Sequence, residues 1–202
     1  NSIIHGFAAA ERGRFHVVSS TLEHNAVLRP LRALEKAGKI SLTLVPFDGE
    51  GYVSPESVAE AVVDDTRLVV LTHGSNVLGT VQDIKAVGEV LRRRRIFYVV
   101  DAAQTPGHVP VDVEQMGADA VAFTGHKGLF SLPGVGGFYI RDPSRLESMR
   151  QGGTGVRSRD PYHPADMPFK FEAGTHNYPG IISLAEGVRF IEKKGLRKVA
   201  AK

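Results

Sequence analysis

The sequence predicts an α/β fold in three layers, a mostly parallel sheet with helices on both faces. Three observations lead there. Short apolar runs rich in β-branched residues alternate with longer segments of helical periodicity, the order that βαβ units require. The runs IFYVVDA (96–102) and AVAFTGH (120–126) are almost continuously apolar, as strands covered on both faces are. The run VGGFYIR (135–141) follows so soon after 120–126 that only a hairpin-like return fits, so this strand is expected to be antiparallel.

FHVVSS (15–20) reads as the first buried strand. NAVLRPLRALEKAG (25–38) follows as a helix, with apolar Val27, Leu28, Leu31 and Leu34 and a capping glycine at its end. Pro30 lies in its first turns and is expected to set where the helix begins. ISLTLVPF (40–47) is the next strand, and DGEGY after it a turn. SPESVAEAVV (54–63) is a helix with Ser54 as N-cap and Pro55 at its first position. RLVVLTH (67–73) is a strand, and DIKAVGEVLRRRR (83–95) a helix capped by Asp83. GIISLAEGVRFIEKKG (180–195) is a last amphipathic helix. The least regular segment is 150–179, rich in Gly, Pro, Arg and Asp. An unstructured stretch of that length is expected to be functional or to meet a partner.

The composition narrows the function classes. A chain of 202 residues, 42% hydrophobic and 23% charged, can bury one good-sized core and has the profile of a globular protein. No apolar run approaches the roughly 18 residues of a membrane span, so no membrane partner is expected. The formal net charge of +3 does not indicate nucleic acid. Arg92–Arg95 close a predicted helix, where cations complement the helix dipole, and read as a solvated helix end. The chain has no cysteine, which excludes disulfides, thiolate metal sites and cysteine nucleophiles within it and fits a cytoplasmic location. The histidines lack metal-ligand spacing, so no metal site is expected. GVGG (134–137) does not run into a helix and is not a dinucleotide fingerprint.

In open α/β sheets ligands sit at the carboxyl ends of the parallel strands. The strand at 15–20 leads to Glu23, His24 and Asn25, and the strand at 67–73 to His73, Ser75 and Asn76. The strand at 96–102 presents Asp101 and leads to Gln104, and that at 120–126 ends in Thr124, Gly125, His126 and Lys127. Singly, each has an ordinary explanation as a cap, a surface residue or a satisfied polar group. Together, four strand ends each supply a polar group suited to one ligand.

That set matches the needs of a pyridine aldehyde cofactor. A lysine that forms a Schiff base needs a partly desolvated site that favours the neutral amine. A pyridine ring used as an electron sink needs a carboxylate beside its nitrogen. Its phosphate needs hydroxyl, imidazole and backbone donors, its phenolic oxygen an amide or hydroxyl donor, and its face a flat ring. Lys127, Asp101, Thr124 with His126, Asn76 with Gln104, and His24 meet those needs in turn.

The ordered motifs EHNAV, HGSNVLGT, VVDAAQTPGHVPVDV, ADAVAFTGHKG and FEAGTHNYPGI resemble the class V aminotransferase-fold enzymes, most of all the cysteine desulfurase and selenocysteine lyase branch. The match runs from about residue 15 to about residue 190. The resemblance implies a fold type I large domain and the cofactor pyridoxal 5′-phosphate. Lys127 would bind the cofactor covalently, Asp101 would pair with the pyridine nitrogen, and His24 would stack on the ring. Asn76 and Gln104 would bond the phenolic oxygen, and Thr124 and His126 the phosphate. It also implies a homodimer in which Thr175 reaches the neighbouring subunit's phosphate, and a cysteine-like amino-acid substrate. The catalytic residues expected are thus Lys127, His24 and Asp101.

The chain departs from the family at both ends. NSIIHGFAAAERG resembles the end of a helix that family members open with a Gly/Thr phosphate-binding turn, and that turn is absent. The chain stops at LRKVAAK, before the small domain in which the family carries a carboxylate-binding arginine and, in desulfurases, the sulfur-accepting cysteine. The expectation is a cofactor-binding large domain over 1–195, with 150–179 as an interface and active-site loop and 196–202 as a tail. Without a thiolate the persulfide step cannot occur within this chain. Two other readings stand beside this one: an aminotransferase or lyase of the same fold acting on another amino acid, and a non-catalytic remnant that folds without turnover.

Overall fold

The structure, a computed structural model, describes residues 1–201. Six strands form one sheet: β1 (Phe15–Ser20), β2 (Ile40–Val45), β3 (Thr66–Thr72), β4 (Phe97–Asp101), β5 (Ala120–Thr124) and β6 (Gly136–Ile140). Their order is β2-β1-β3-β4-β5-β6. All neighbours are parallel except β5 and β6, where Ala120 faces Ile140 in an antiparallel pair. The short connection across 125–135 allows no crossover, so the return strand had to be antiparallel.

Alternate residues of the strands feed two separate cores, as the period of two requires. Val17, Leu68, Val70, Phe97 and Val99 pack with α1 (Ser2–Ala10) and α2 (Asn25–Lys36) on one face. Val18, Val69, Leu71, Tyr98 and Val100 pack with α3 (Pro55–Ala61), α4 (Ile84–Leu91) and α5 (Val113–Met116) on the other. The three layers follow from strands that are apolar on both sides.

Local chemistry explains where the helices begin and end. α2 starts at Asn25 although Pro30 lies inside it, contrary to the expectation that Pro30 marks its start. The His24 cap accepts the Ala26 N–H, and buried Val27 and Leu31 hold the first turns on the sheet. The helix ends at Lys36, and Gly38 just beyond it turns the chain in a left-handed conformation (φ +72°), with Gly38 N–H donating to Glu35 C=O and Lys39 N–H to Leu34 C=O. α3 begins as predicted, with the Ser54 hydroxyl accepting from Ser57 N–H. α4 stops at Leu91, four residues before the predicted end, because the chain must turn there to enter β4 at Phe97. Arg92–Arg95 therefore lie mostly past the helix.

The four-residue α5 was not expected from periodicity, since it is too short to show any. After β6 come 3-10 turns at Pro143–Arg145 and Phe169–Phe171, then α6 (Tyr178–Lys194), which is capped by Asn177 and begins two residues ahead of the predicted start. The stretch 196–202, expected as a tail, instead carries α7 (Leu196–Ala200); Lys202 lies outside the described residues. Among the described residues no helix is long and apolar enough to cross a membrane.

The strand order reverses between β1 and β3. The chain leaves β1 for β2 on one side and returns to place β3 on the other. Pairing between these two strands ends at Val18 opposite Val69, before their carboxyl ends, and it is at the carboxyl ends beside such a reversal that open α/β sheets bind ligands.

Candidate functional site

A cavity of about 380 Å³ opens over the carboxyl ends of β1, β3, β4 and β5. Its size is in the range of small-molecule sites. His24, Asn76, Asp101, Gln104, Thr124, His126 and Lys127 all line it, so the structure brings together seven of the residues singled out from the sequence. Ala26, Thr72, Gly74 and Ala103, which sequence reasoning did not single out, complete the lining. Their small side chains carry no chemical signal in a sequence; they matter because they leave room.

Each side chain is placed by its element. His24 caps α2, with its Nδ1 accepting the Ala26 N–H at 3.1 Å, which fixes the exposed ring at the cavity edge. Asp101 is the last residue of β4, half-buried, and its Oδ1 accepts the Ala103 N–H at 2.9 Å. No other hydrogen bond to this carboxylate exists among the described residues, so it keeps acceptor capacity for a ligand. The Thr124 hydroxyl and His126 Nδ1 are 2.9 Å apart at the end of β5.

Lys127 sits on the loop that follows. A Cβ on Gly128 would lie 2.3 Å from the Pro106 carbonyl oxygen, and one on Gly107 would lie 1.9 Å from the Gly128 oxygen. The loops after β4 and β5 thus touch backbone to backbone, and only glycines permit that approach. This contact sets Lys127 beside Asp101 and Gln104 in one cavity. The sequence reading asked for a partly desolvated lysine. In this chain Lys127 is exposed, on the loop that leaves the end of β5.

The remaining strand-end residues have other tasks. His73 is buried below the cavity, with its Nδ1 2.9 Å from the Thr105 hydroxyl, and burial holds its pKa below the ordinary histidine value. The Ser75 hydroxyl accepts from Val77 and Leu78 N–H and shapes the turn that carries Asn76. Thr175 is exposed in the irregular segment and does not line the cavity of its own chain.

Glu23 was named at the strand end without a role. It is 6% exposed, and its Oε1 accepts from the Ser20 hydroxyl at 2.7 Å and from Thr72 N–H at 2.9 Å. Burial, with Asp101 adding to it, pushes its pKa up to about 8.

The arrangement offers an amine, a carboxylate with a free acceptor, two side-chain amides, a hydroxyl–imidazole pair and an exposed aromatic ring around one cavity. It can therefore hold a flat, anionic, nitrogen-containing ring and react with its carbonyl group.

Comparison with known proteins agrees with this fold. The aminotransferase class-V family matches residues 1–202. A probable cysteine desulfurase of Methanothermobacter thermautotrophicus is 40% identical over 187 residues, 91% of this chain and 46% of that protein. The apo structure of a cysteine desulfurase from Thermococcus onnurineus superposes with a TM-score of 0.88 at 32% identity, over 98% of this chain and 50% of that one. A structure described as SspA in complex with cysteine gives a TM-score of 0.79 at 29% identity, over 92% of this chain and 50% of that one. The chain thus spans about half the length of the relatives it matches.

Proposed function

The chain belongs to the aminotransferase class V family, and from that premise we propose that its cavity holds pyridoxal 5′-phosphate and serves carbon–sulfur bond cleavage in cysteine. The observation that carries this reading is the meeting of Lys127, Asp101, Asn76 and Gln104 in one cavity at the switch point of the sheet. The cysteine desulfurase relatives and the cysteine-bound neighbour support the substrate class.

The donor set fits the cofactor. When bound, pyridoxal phosphate supplies an aldehyde for amines and a ring that draws electrons from the substrate's α-carbon. The Lys127 amine would be the nucleophile for that aldehyde and could take and return a proton as a base. The free acceptor of Asp101 would hold a proton on the ring nitrogen and so keep the ring electron-poor. Asn76 and Gln104 would donate hydrogen bonds to the phenolic oxygen, and His24, fixed by its cap bond, would cover a ring face. Thr124 and His126 would hold the phosphate as one hydrogen-bonded pair.

The reading extends to a cytoplasmic homodimer in which the exposed Thr175 of one chain completes the phosphate site of the other. The charge and glycine content of 150–179 support that role. With no cysteine in the sequence, the sulfur acceptor must be a thiol outside these 202 residues.

The test is spectroscopic. Purified protein titrated with pyridoxal phosphate is expected to develop a visible absorbance band that Lys127→Ala abolishes and Lys85→Ala, on α4, leaves in place. Survival of the band in Lys127→Ala, or its absence from the wild type at high cofactor concentration, overturns the proposal. Sulfide release from cysteine with an added thiol, set against keto-acid formation from other amino acids, tests the substrate class.

A further inference from the structure

The β1–β3 ladder ends at Val18 opposite Val69, and beyond it ladder bonds no longer satisfy the strand ends. Side chains take over. The Ser19 hydroxyl donates to Val70 C=O at 2.8 Å, and the Glu23 carboxyl accepts from Thr72 N–H and from the Ser20 hydroxyl, both through Oε1. Thr72 lines the cavity and stands opposite Asp101 in the sheet register, and His24 is the next residue after Glu23. One buried side chain therefore ties the turn that carries His24 to the strand end beside Asp101.

The second oxygen, Oε2, is buried and has no hydrogen-bond partner. The ionisable groups that act on this side chain are Asp101 and Tyr98, both of β4, and neither is a cation. A buried carboxylate without a cation would be uncompensated, whereas a carboxylic acid carries its proton on the unpaired oxygen at much lower cost. We propose that Glu23 is a positioning residue that, as a neutral acid, wedges between the ends of β1 and β3 and thereby fixes His24 and the Thr72 end of β3 at the cavity. The proposal deepens the reading of this cavity as a pyridoxal phosphate site and rests on it.

The experiment has two arms. Without cofactor, carbon-13 NMR of the Glu23 carboxyl, assigned by its loss in Glu23→Gln, should show titration near pH 8 rather than near 4.5. In the same samples the His24 ring nitrogen signals should move in Glu23→Ala and return to their wild-type positions in Glu23→Gln. With cofactor, retention of the visible band should fall by about tenfold in Glu23→Ala through the lost wedge bonds. Glu23→Gln, which keeps an acceptor for Thr72 and needs no charge, should restore it. Ordinary acidic titration of Glu23, or a loss in Glu23→Gln as deep as in Glu23→Ala, overturns the proposal. Because the first arm needs no cofactor, a wild type that shows no band refutes the cofactor reading while the NMR result still decides the state of Glu23.

Discussion

The Thr124 hydroxyl lies 2.9 Å from Nδ1 of His126, two residues on, at the point where β5 gives way to the lysine-bearing loop. With Nδ1 engaged, a neutral His126 that accepts the threonine proton presents Nε2–H to the cavity. The two side chains then act as one donor unit. Thr124→Val and His126→Ala are each expected to weaken pyridoxal phosphate binding by about tenfold, the scale of one charge-assisted hydrogen bond. Binding of pyridoxal, which lacks the phosphate, should change little. Equal losses for both ligands in equilibrium titrations would remove the phosphate assignment.

Asp101 accepts one backbone bond, from Ala103 N–H, but unlike its acidic neighbours it lines the cavity. Asp112 caps α5 and accepts from Glu114 and Gln115 N–H, and Asp119 accepts from Tyr98 N–H. Asp112→Ala and Asp119→Ala should therefore each lower stability by about 1 kcal/mol in urea unfolding. Their cofactor spectra should match the wild type. Asp101→Ala should cost a similar amount through the lost Ala103 bond and, alone of the three, alter the cofactor spectrum. Equal spectral effects from all three would sink the assignment.

The backbone contact between Gly107 and Gly128 predicts a steric phenotype. A methyl group on Gly128 meets the Pro106 carbonyl oxygen and the His108 ring. Gly128→Ala should destabilise the fold by about 1–3 kcal/mol, the range for overpacking. It should also weaken the visible band, because the loop that carries Lys127 must move. Gly49→Ala, where nothing lies within 4 Å of the added carbon, should be neutral or slightly stabilising. Thermal melting and cofactor titration on the same two variants check both statements.

The sheet and the cavity were legible in the sequence for different reasons. Strands such as Phe97–Asp101 declare themselves by being apolar on both faces, and the short span before 135 dictated the antiparallel return. The site residues were legible because strand ends are few and polar groups there stand out, as Asp101 does after four buried residues. α5 was missed because four residues hold no period, although Asp112 and Gly117 mark its cap and stop in retrospect. The end of α4 was overrun because arginines favour helices, and only the need to enter β4 stops it. Glu23 was hidden by its chemistry, since a glutamate next to a turn looks solvated until its bonds to Ser20 and Thr72 show it bridging the ends of β1 and β3.

That burial makes stability depend on pH in a defined direction. The Glu23 carboxyl has its pKa raised from 4.5 to about 8 in the folded chain, chiefly by burial. Below pH 4.5 both folded and unfolded chains hold the proton, and the buried acid contributes its full stability. Between 4.5 and 8 the unfolded chain releases the proton while the folded chain keeps it, so stability falls as pH rises, by up to roughly 1.4 kcal/mol per pH unit. Above 8 both states are ionised and this contribution is flat. Glu23→Gln cannot ionise and lacks the slope, while every other titrating group, His16 and His73 included, is common to both proteins. The stability of Glu23→Gln relative to the wild type should therefore rise by a few kcal/mol (order of magnitude) across that window, as read from urea unfolding at a series of pH values. Parallel stability curves for the two proteins would mean that the carboxyl is already ionised in the folded chain at neutral pH.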